Sequence, residues 1–399
     1  MAFVALLWMP TIQGVTGVVP AVGLDGVEAP PQRVGFDLPS WSDGSWQSSW
    51  EASFDHDLGL RDWMVRIDNE LRMRVFGVAK RPVVLGPDSW LMEAAYLPTL
   101  SLVQHRSIAE RLLLKCYNLR RLQDAFAARG VTLVVLVSPG KGDSHPERMS
   151  REFRIEYEAL RGVDRHYDVV KRGLTMAGVN FVDCVQLAKQ MREQPAAGEP
   201  PMFVRGGIHW TNYGAARCAV ALLDQIERAS GTDVKSLDVT GVRMEPAPDR
   251  GELDIAYLAN VLDLSRWRHP HGQPVVEVRQ RDVGRPVGLL FVGTSFVWGL
   301  THALKLHGVT DPLTVFYYYR SRTDFVAGEQ KPSVPLDRTV EELHRELPHY
   351  QVVVLESNQV ALMQLGHGFI EKALEACGLD VATTLPVSVE TVMGHGYDR

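Results

Sequence analysis

The chain has 399 residues, 45% of them hydrophobic and 23% charged, with a net charge of −6. This composition is globular and excludes a disordered chain, and it builds no basic footprint, so no nucleic-acid partner is expected. The length holds one large α/β domain with additions, or two ordinary domains.

From Ala2 to Leu24 there is no charged residue, and the run from Ala2 to Met9 is strongly apolar. A helix needs about 20 such residues to span a bilayer. Pro10, Gln13, Gly14 and Gly17 interrupt the run, and no Lys or Arg precedes it. The expectation for residues 1–24 is an uncleaved signal anchor; the other reading is an apolar tail or a core element. Residues 25–49 continue a stretch rich in Pro, Gly and Ser and read as linker. Trp41, Trp46 and Trp50 are expected to cover a domain edge, with a sugar-stacking platform as the other use of such rings.

Residues 50–399 read as the main domain. Trp50 to Phe76 has a helical pattern, and Arg81 to Leu91 reads as a short strand, a turn and an apolar re-entry. Ser107 to Arg129 is a long amphipathic helix, with Ile108, Leu112, Tyr117, Leu119, Leu122 and Phe126 roughly on one side and Gly130 closing it. Val131 to Val137 is a continuous β-branched run, as in a strand buried on both faces. Arg161 to Ala177 reads as helix and Val179 to Cys184 as strand. Thr211 caps a helix that carries Ala216, Ala219, Val220, Leu223 and Ile226 at helical spacing. Residues 231–283 are irregular and turn-rich and read as an insertion. Val287 to Gly293, Leu313 to Tyr319 and Tyr350 to Glu356 are three more buried strands. Strands alternating with helices predict a parallel sheet flanked by helices.

Ligands of such a sheet bind beyond the carboxyl ends of its strands. Those ends carry Ser138 to Pro146 (SPGKGDSHP), Gly293 to Phe296 (GTSF) and Glu356 to Gln359 (ESNQ), with Arg205 to Trp210 (RGGIHW) further along. Ser295 stands just past a buried strand, beside a glycine, where a nucleophile is exposed among backbone N–H groups. Val297 occupies the place of the second glycine in G-x-S-x-G, and a helix N-cap is the other reading of this serine. His209 before a helix is either a packed ring or a base. The Lys141 turn does not meet the G-x-x-x-x-G-K-[ST] phosphate loop. His269 and His271 have no third ligand at metal spacing, so neither metal nor cofactor is expected. Cys116, Cys184, Cys218 and Cys377 form no CxxC pair; two of them could pair in an oxidising compartment.

Six blocks, in order, resemble the alginate O-acetyltransferase family, whose members carry an SGNH-hydrolase-like domain. They are Phe54 to Leu71 (FDHDLGLRDWMVRIDNEL), Val83 to Leu91 (VVLGPDSWL), Ser138 to Glu147 (SPGKGDSHPE), Ile208 to Ala215 (IHWTNYGA), Asp249 to Asp254 (DRGELD) and Phe291 to Gly299 (FVGTSFVWG). The resemblance implies acetyl transfer to hydroxyls of an exopolysaccharide through a serine acyl-enzyme. It also implies a periplasmic location, attachment to the inner membrane through the N-terminal anchor, and acetyl supplied by a separate membrane-bound protein. Ser295 would be the nucleophile and His209 the base, with the serine after the histidine in a permuted catalytic order. Lys141 would lie near the sugar-binding edge. Trp298, Tyr317, Tyr318 and Arg320 have two readings: lining of that edge, since aromatic rings stack on sugar faces, or core.

One departure matters. The family's acid stands two residues before the histidine, where this chain has Gly207. Glycine cannot orient an imidazole or stabilise its charged form. Three readings follow: a Ser-His dyad oriented by a carbonyl or water; an acid reaching the ring from elsewhere, with Asp143, Asp183, Asp254 and Glu356 as candidates; or an impaired site on a polysaccharide-binding or assembly subunit. A simple esterase is a further alternative.

Overall fold

The computed structural model describes residues 2–26, 32–97, 101–279, 284–305 and 307–394. Met1 of the expected anchor, residues 27–31 of the expected linker, 280–283 of the insertion and 395–399 of the main domain lie outside these ranges.

The N-terminal helix α1 (Ala2–Thr16) has 15 residues. At the α-helical rise that is about 22 Å, short of a hydrocarbon core of about 30 Å. Among the described residues no helix is long and apolar enough to cross a membrane. Its backbone packs on Gly59, where a Cβ would lie 2.1 Å from the Pro10 carbonyl oxygen. Part of the expected linker is ordered. It folds into α2 (Leu38–Ser42) and the start of α3 (Ser45–Asp57). Asp37 caps α2, accepting from the Ser40 N–H at 2.7 Å. Trp41, Trp46 and Trp50 lie on these helices and cluster with Phe36 at centroid separations of 5.3–5.9 Å. A break at Leu60, which has φ 64°, separates α3 from α4 (Arg61–Val75), so the expected single helix is two.

A short antiparallel ribbon, β1 (Val83–Leu85) with β2 (Leu91–Glu93), precedes the long helix α5 (Arg106–Ala127). Then come β3 (Thr132–Ser138), α6 (Lys141–Ser144), α7 (Arg151–Ala159), α8 (His166–Ala177), β4 (Phe181–Asp183), α9 (Cys184–Glu193) and α10 (Asn212–Ser230). The expected insertion is more ordered than its turn-rich sequence suggests. It is an antiparallel hairpin, β5 (Leu237–Glu245) with β6 (His271–Val278), with α11 (Asp254–Leu258) in the connection. The chain ends with β7 (Val287–Gly293), α12 (Val297–Lys305), β8 (Thr310–Tyr317), β9 (Ser321–Val326), the two-residue strands β10 (Glu329–Gln330) and β11 (Val334–Pro335), α13 (Val340–Glu346), β12 (Val352–Asn358), α14 (Phe369–Ala376) and α15 (Val389–Met393).

The main sheet runs β10-β9-β8-β7-β12-β3-β4, with β11 also on β9. The five strands from β8 to β4 are parallel, and β9 adds an antiparallel edge. Successive side chains of a strand point to opposite faces. Val134, Leu136, Leu289, Phe291, Val352 and Val354 join α10 and α12 in one apolar core. Leu133, Val135, Val137, Leu290, Val292, Val353 and Leu355 join α5, α8 and α14 in the other. Helices on both faces explain why these strands read as unbroken apolar runs. The carboxyl ends of β3, β7 and β12 therefore open on one rim, and the polar residues beyond them converge there.

Candidate active site

Gly293 ends β7 and turns the chain over Glu356. A Cβ on Gly293 would lie 2.7 Å from Glu356 Oε2 and 2.6 Å from Val297 Cγ1, so any side chain there would force Glu356 or Val297 to shift. Glu356 lies inside β12, fully buried. It accepts from Thr294 N at 2.7 Å, Thr294 Oγ1 at 2.8 Å and Ser138 Oγ at 2.5 Å. Burial pushes its carboxyl up, while these three donors and the charge of His209 oppose the shift. Glu356 thus braces the turn from beneath and does not touch the histidine ring as its acid.

The turn presents Ser295 to His209. Ser295 Oγ lies 2.6 Å from His209 Nε2. His209 precedes α10, whose N-cap Thr211 accepts from the Gly214 N–H at 3.0 Å. Its ring packs edge-on against Phe296 at 4.8 Å between centroids, and Trp210 packs on the same phenyl at 5.3 Å. The two residues stand 86 positions apart in the chain.

The other ring nitrogen, Nδ1, meets Asp254 Oδ2. Asp254 Oδ1 accepts from the backbone N–H of Ile208 at 2.8 Å and of Ile255 at 2.7 Å. A carboxylate beside Nδ1 keeps the imidazole proton there, which leaves Nε2 free to accept from the serine hydroxyl. Of the four candidate acids, Asp254 is the one on the ring. Asp143 accepts from Tyr157 Oη and Gln359 Nε2, and Asp183 caps α9 and accepts from Tyr167 Oη. The alternative of a ring with no acid is thereby corrected in geometry.

The backbone around Gly207 is gripped from both sides. Ala256 N–H donates to the Gly206 carbonyl at 2.8 Å on the Asp254 side. On the other side Lys141 Nζ donates to the carbonyls of Leu91 at 2.7 Å, Arg205 at 2.9 Å and Gly207 at 2.6 Å. The expectation that Lys141 serves the sugar-binding edge is corrected. Its side chain is fully buried, its ammonium lies 4.8 Å from the Trp90 ring centre, and its three N–H groups are all spent on backbone carbonyls. Burial pulls this ammonium down to about 7, against the charge of Asp254.

The remaining expected residues divide. The half-buried Trp298 packs against Tyr317 at 5.3 Å between ring centres, on the edge of the core beneath α12. Tyr318, at φ 48°, donates its N–H to the Gly293 carbonyl at 2.8 Å and touches His367 edge-on at 5.0 Å. Arg320 is exposed. The sequence offered no signal for Tyr96. Its ring lies 6.2 Å from Phe296, and its hydroxyl interacts with Ser295 and Tyr318. Burial and Tyr318 push that hydroxyl well above its ordinary value, so it stays a donor. Glu93, also missed, is held above the usual carboxylate range by burial and by the charge of Asp254.

A serine on a tight turn past a parallel strand, with histidine and aspartate behind it, places the molecule among the α/β proteins of SGNH-hydrolase-like fold. The family model described as "SGNH hydrolase-like domain, acetyltransferase AlgX" matches residues 83–302, more than half of the chain, and the chain belongs to that family. It is similar to "Alginate biosynthesis protein AlgX" of Pseudomonas putida, with 30% identity over 113 residues, 28% of this chain and 23% of the relative. It is also similar to "Probable alginate O-acetylase AlgJ" of the same organism, with 25% identity over 181 residues, 45% of this chain and 43% of the relative. The matches thus span less than half the length of either relative. Among solved structures, the O-acetyltransferase domain of Pseudomonas putida AlgJ superposes with a TM-score of 0.42 and 18% identity, covering 70% of this chain and 92% of that one.

Proposed function

We propose that the protein transfers acetyl groups to hydroxyls of an exopolysaccharide through a covalent intermediate on Ser295. The observation that carries this reading is the unbroken chain from Ser295 Oγ through the His209 ring to Asp254. Family membership supports the choice of acetyl as the group and polysaccharide as the acceptor.

In this reading His209 Nε2 takes the Ser295 proton as Oγ attacks the acetyl carbonyl. The Asp254 carboxylate stabilises the imidazolium that forms. Collapse of the tetrahedral intermediate expels the donor's leaving group, which takes that proton, and leaves the acetyl on Oγ. A sugar hydroxyl then gives its proton to His209, attacks the ester carbonyl, and Ser295 recovers the proton as it departs. The Ser295 backbone N–H, with the Tyr96 hydroxyl as a further donor, would hold the developing oxyanion. In this reading Trp298, Tyr318 and Arg320 would contact the acceptor. The acetyl donor is a separate membrane-bound protein, and the compartment is the periplasm, with the apolar N-terminus attaching the protein to the inner membrane.

The competing reading, a polysaccharide-binding or assembly subunit with an impaired site, drew its motive from the missing acid two residues before His209. Asp254 beside the ring removes that motive. The test is hydrolysis of a chromogenic acetyl ester, together with labelling of Ser295 by a serine-directed sulfonyl fluoride read by mass spectrometry. Activity and labelling are expected in the wild type and absent in Ser295→Ala. Equal rates in the two proteins would reject the acyl-enzyme.

A further inference from the structure

Glu252 is almost fully buried two residues before Asp254, and its carboxylate touches neither Ser295 nor His209. It is surrounded by four partners. Oε1 accepts from the Asn212 backbone N–H at 2.9 Å and lies 3.1 Å from His271 Nε2. Oε2 accepts from the Asp249 N–H at 3.2 Å and from Gln273 Nε2 at 2.6 Å. Asn212 opens α10, three residues after His209, and its side chain also donates to Asp249 Oδ2 at 2.9 Å and Gln273 Oε1 at 3.0 Å. His271 and Gln273 begin β6 of the hairpin. One carboxylate therefore ties together the segment that carries the base, the loop that carries the acid, and the hairpin that frames that loop.

The chemistry of the site requires an anion. An ionised carboxylate offers about four acceptor positions, and all are in use; an amide would turn two of them into donors facing donors. Burial pushes the Glu252 carboxyl up, but the hydrogen bond and charge of His271, followed by the backbone N–H groups, bring it below its ordinary value. The Glu252 backbone matters as well. Its carbonyl oxygen lies 2.2 Å from where a Cβ of Gly207 would be, so this loop fills the space beside the base.

We propose that Glu252, held by His271 and Gln273 of the β5–β6 hairpin, is a positioning residue that keeps the Asp254 carboxylate in register with His209. The inference rests on the reading of Ser295, His209 and Asp254 as an acyl-transfer triad. Its role is confined to geometry: no proton or acyl group passes through Glu252.

The test uses Glu252→Gln in the full chain, with folding checked by circular dichroism, and kinetics on a chromogenic acetyl ester. A misplaced catalytic group costs on the order of 10²-fold in rate. kcat is expected to fall by about that factor, KM to stay unchanged, and the loss to vanish when the change is made in an Asp254→Asn background. Proton NMR supplies a readout that needs no activity. The downfield Nδ1 proton resonance of His209 should be present in the wild type, lost in Asp254→Asn and weakened in Glu252→Gln. Gln273→Met, a milder cut in the same network, should move both readouts in the same direction and serves if Glu252→Gln does not fold. Wild-type kcat with an unchanged resonance would overturn the proposal, as would an equal loss of rate with and without Asp254. If the wild type shows no activity that Ser295→Ala removes, the acyl-transfer reading fails, and the resonance alone decides whether Glu252 positions Asp254.

Discussion

Asp254 Oδ1 lies 3.5 Å from the point where a Cβ on Gly207 would be, so the acid occupies the space that a side chain at position 207 would enter. The carbonyl oxygen of Glu252 stands even closer to that point, at 2.2 Å. Glycine at 207 is the condition for the Asp254 loop to reach the ring. Restoring an aspartate there is therefore expected to harm the protein. Gly207→Asp should lose stability by about 1–3 kcal/mol from overpacking and should not recover activity when combined with Asp254→Ala. Urea denaturation and ester kinetics on the single and double variants check this; a rescued double variant would show that the two positions are interchangeable.

Asp254→Asn keeps the shape of the acid but removes the charge that orders the ring. On the serine-triad template such a change lowers kcat by about 10⁴-fold, because the imidazole adopts the wrong tautomer. A loss of that order in kcat, with KM little changed, is expected here. A loss under about threefold would return His209 to the dyad reading, in which it needs no carboxylate.

Tyr96→Phe removes one hydroxyl beside Ser295 and leaves the ring against Phe296. If that hydroxyl serves the oxyanion, kcat should fall by about 10²-fold with KM unchanged. A change confined to KM would instead place Tyr96 in ground-state binding of the substrate.

Lys141 links the site to pH. In the unfolded chain its ammonium titrates near 10.5, and in the folded protein burial brings it to about 7. Between those values the unfolded state binds the extra proton, so the contribution of Lys141 to stability rises with pH through this window and is lost as pH falls through about 7. Lys141→Met should flatten that part of the stability–pH curve. It should also lower stability near neutral pH, because each of the three carbonyls left without a donor costs about 1–3 kcal/mol. Denaturant midpoints measured across pH 6–10 (roughly the window of the shift) on both proteins test both statements.

Strands β3, β7 and β12 were legible because each is buried on both faces and reads as a nearly unbroken apolar run; Val287 to Gly293 was placed to the residue. Local chemistry placed Ser295 after a glycine turn and His209 before the Thr211 cap but left their roles open; the resemblance of the motif blocks singled them out as a pair. The β5–β6 hairpin was not, since its half-exposed strands lack such a run. The tryptophan helices α2 and α3 were hidden for a similar reason. Their Ser, Asp and Gly residues resemble a linker until the Asp37 cap and the ring cluster are seen.

Linear patterning was enough for the class of fold and the rim on which polar groups gather, because periodicity and turn chemistry act over a few neighbouring residues; the pair Ser295 and His209 came from the resemblance of the motif blocks. Folding alone chose Asp254 among four acids, put Glu356 under a turn, and withdrew Lys141 into the interior. Those outcomes depend on which distant backbone donors and acceptors are left open when the segments pack, and no local pattern encodes that.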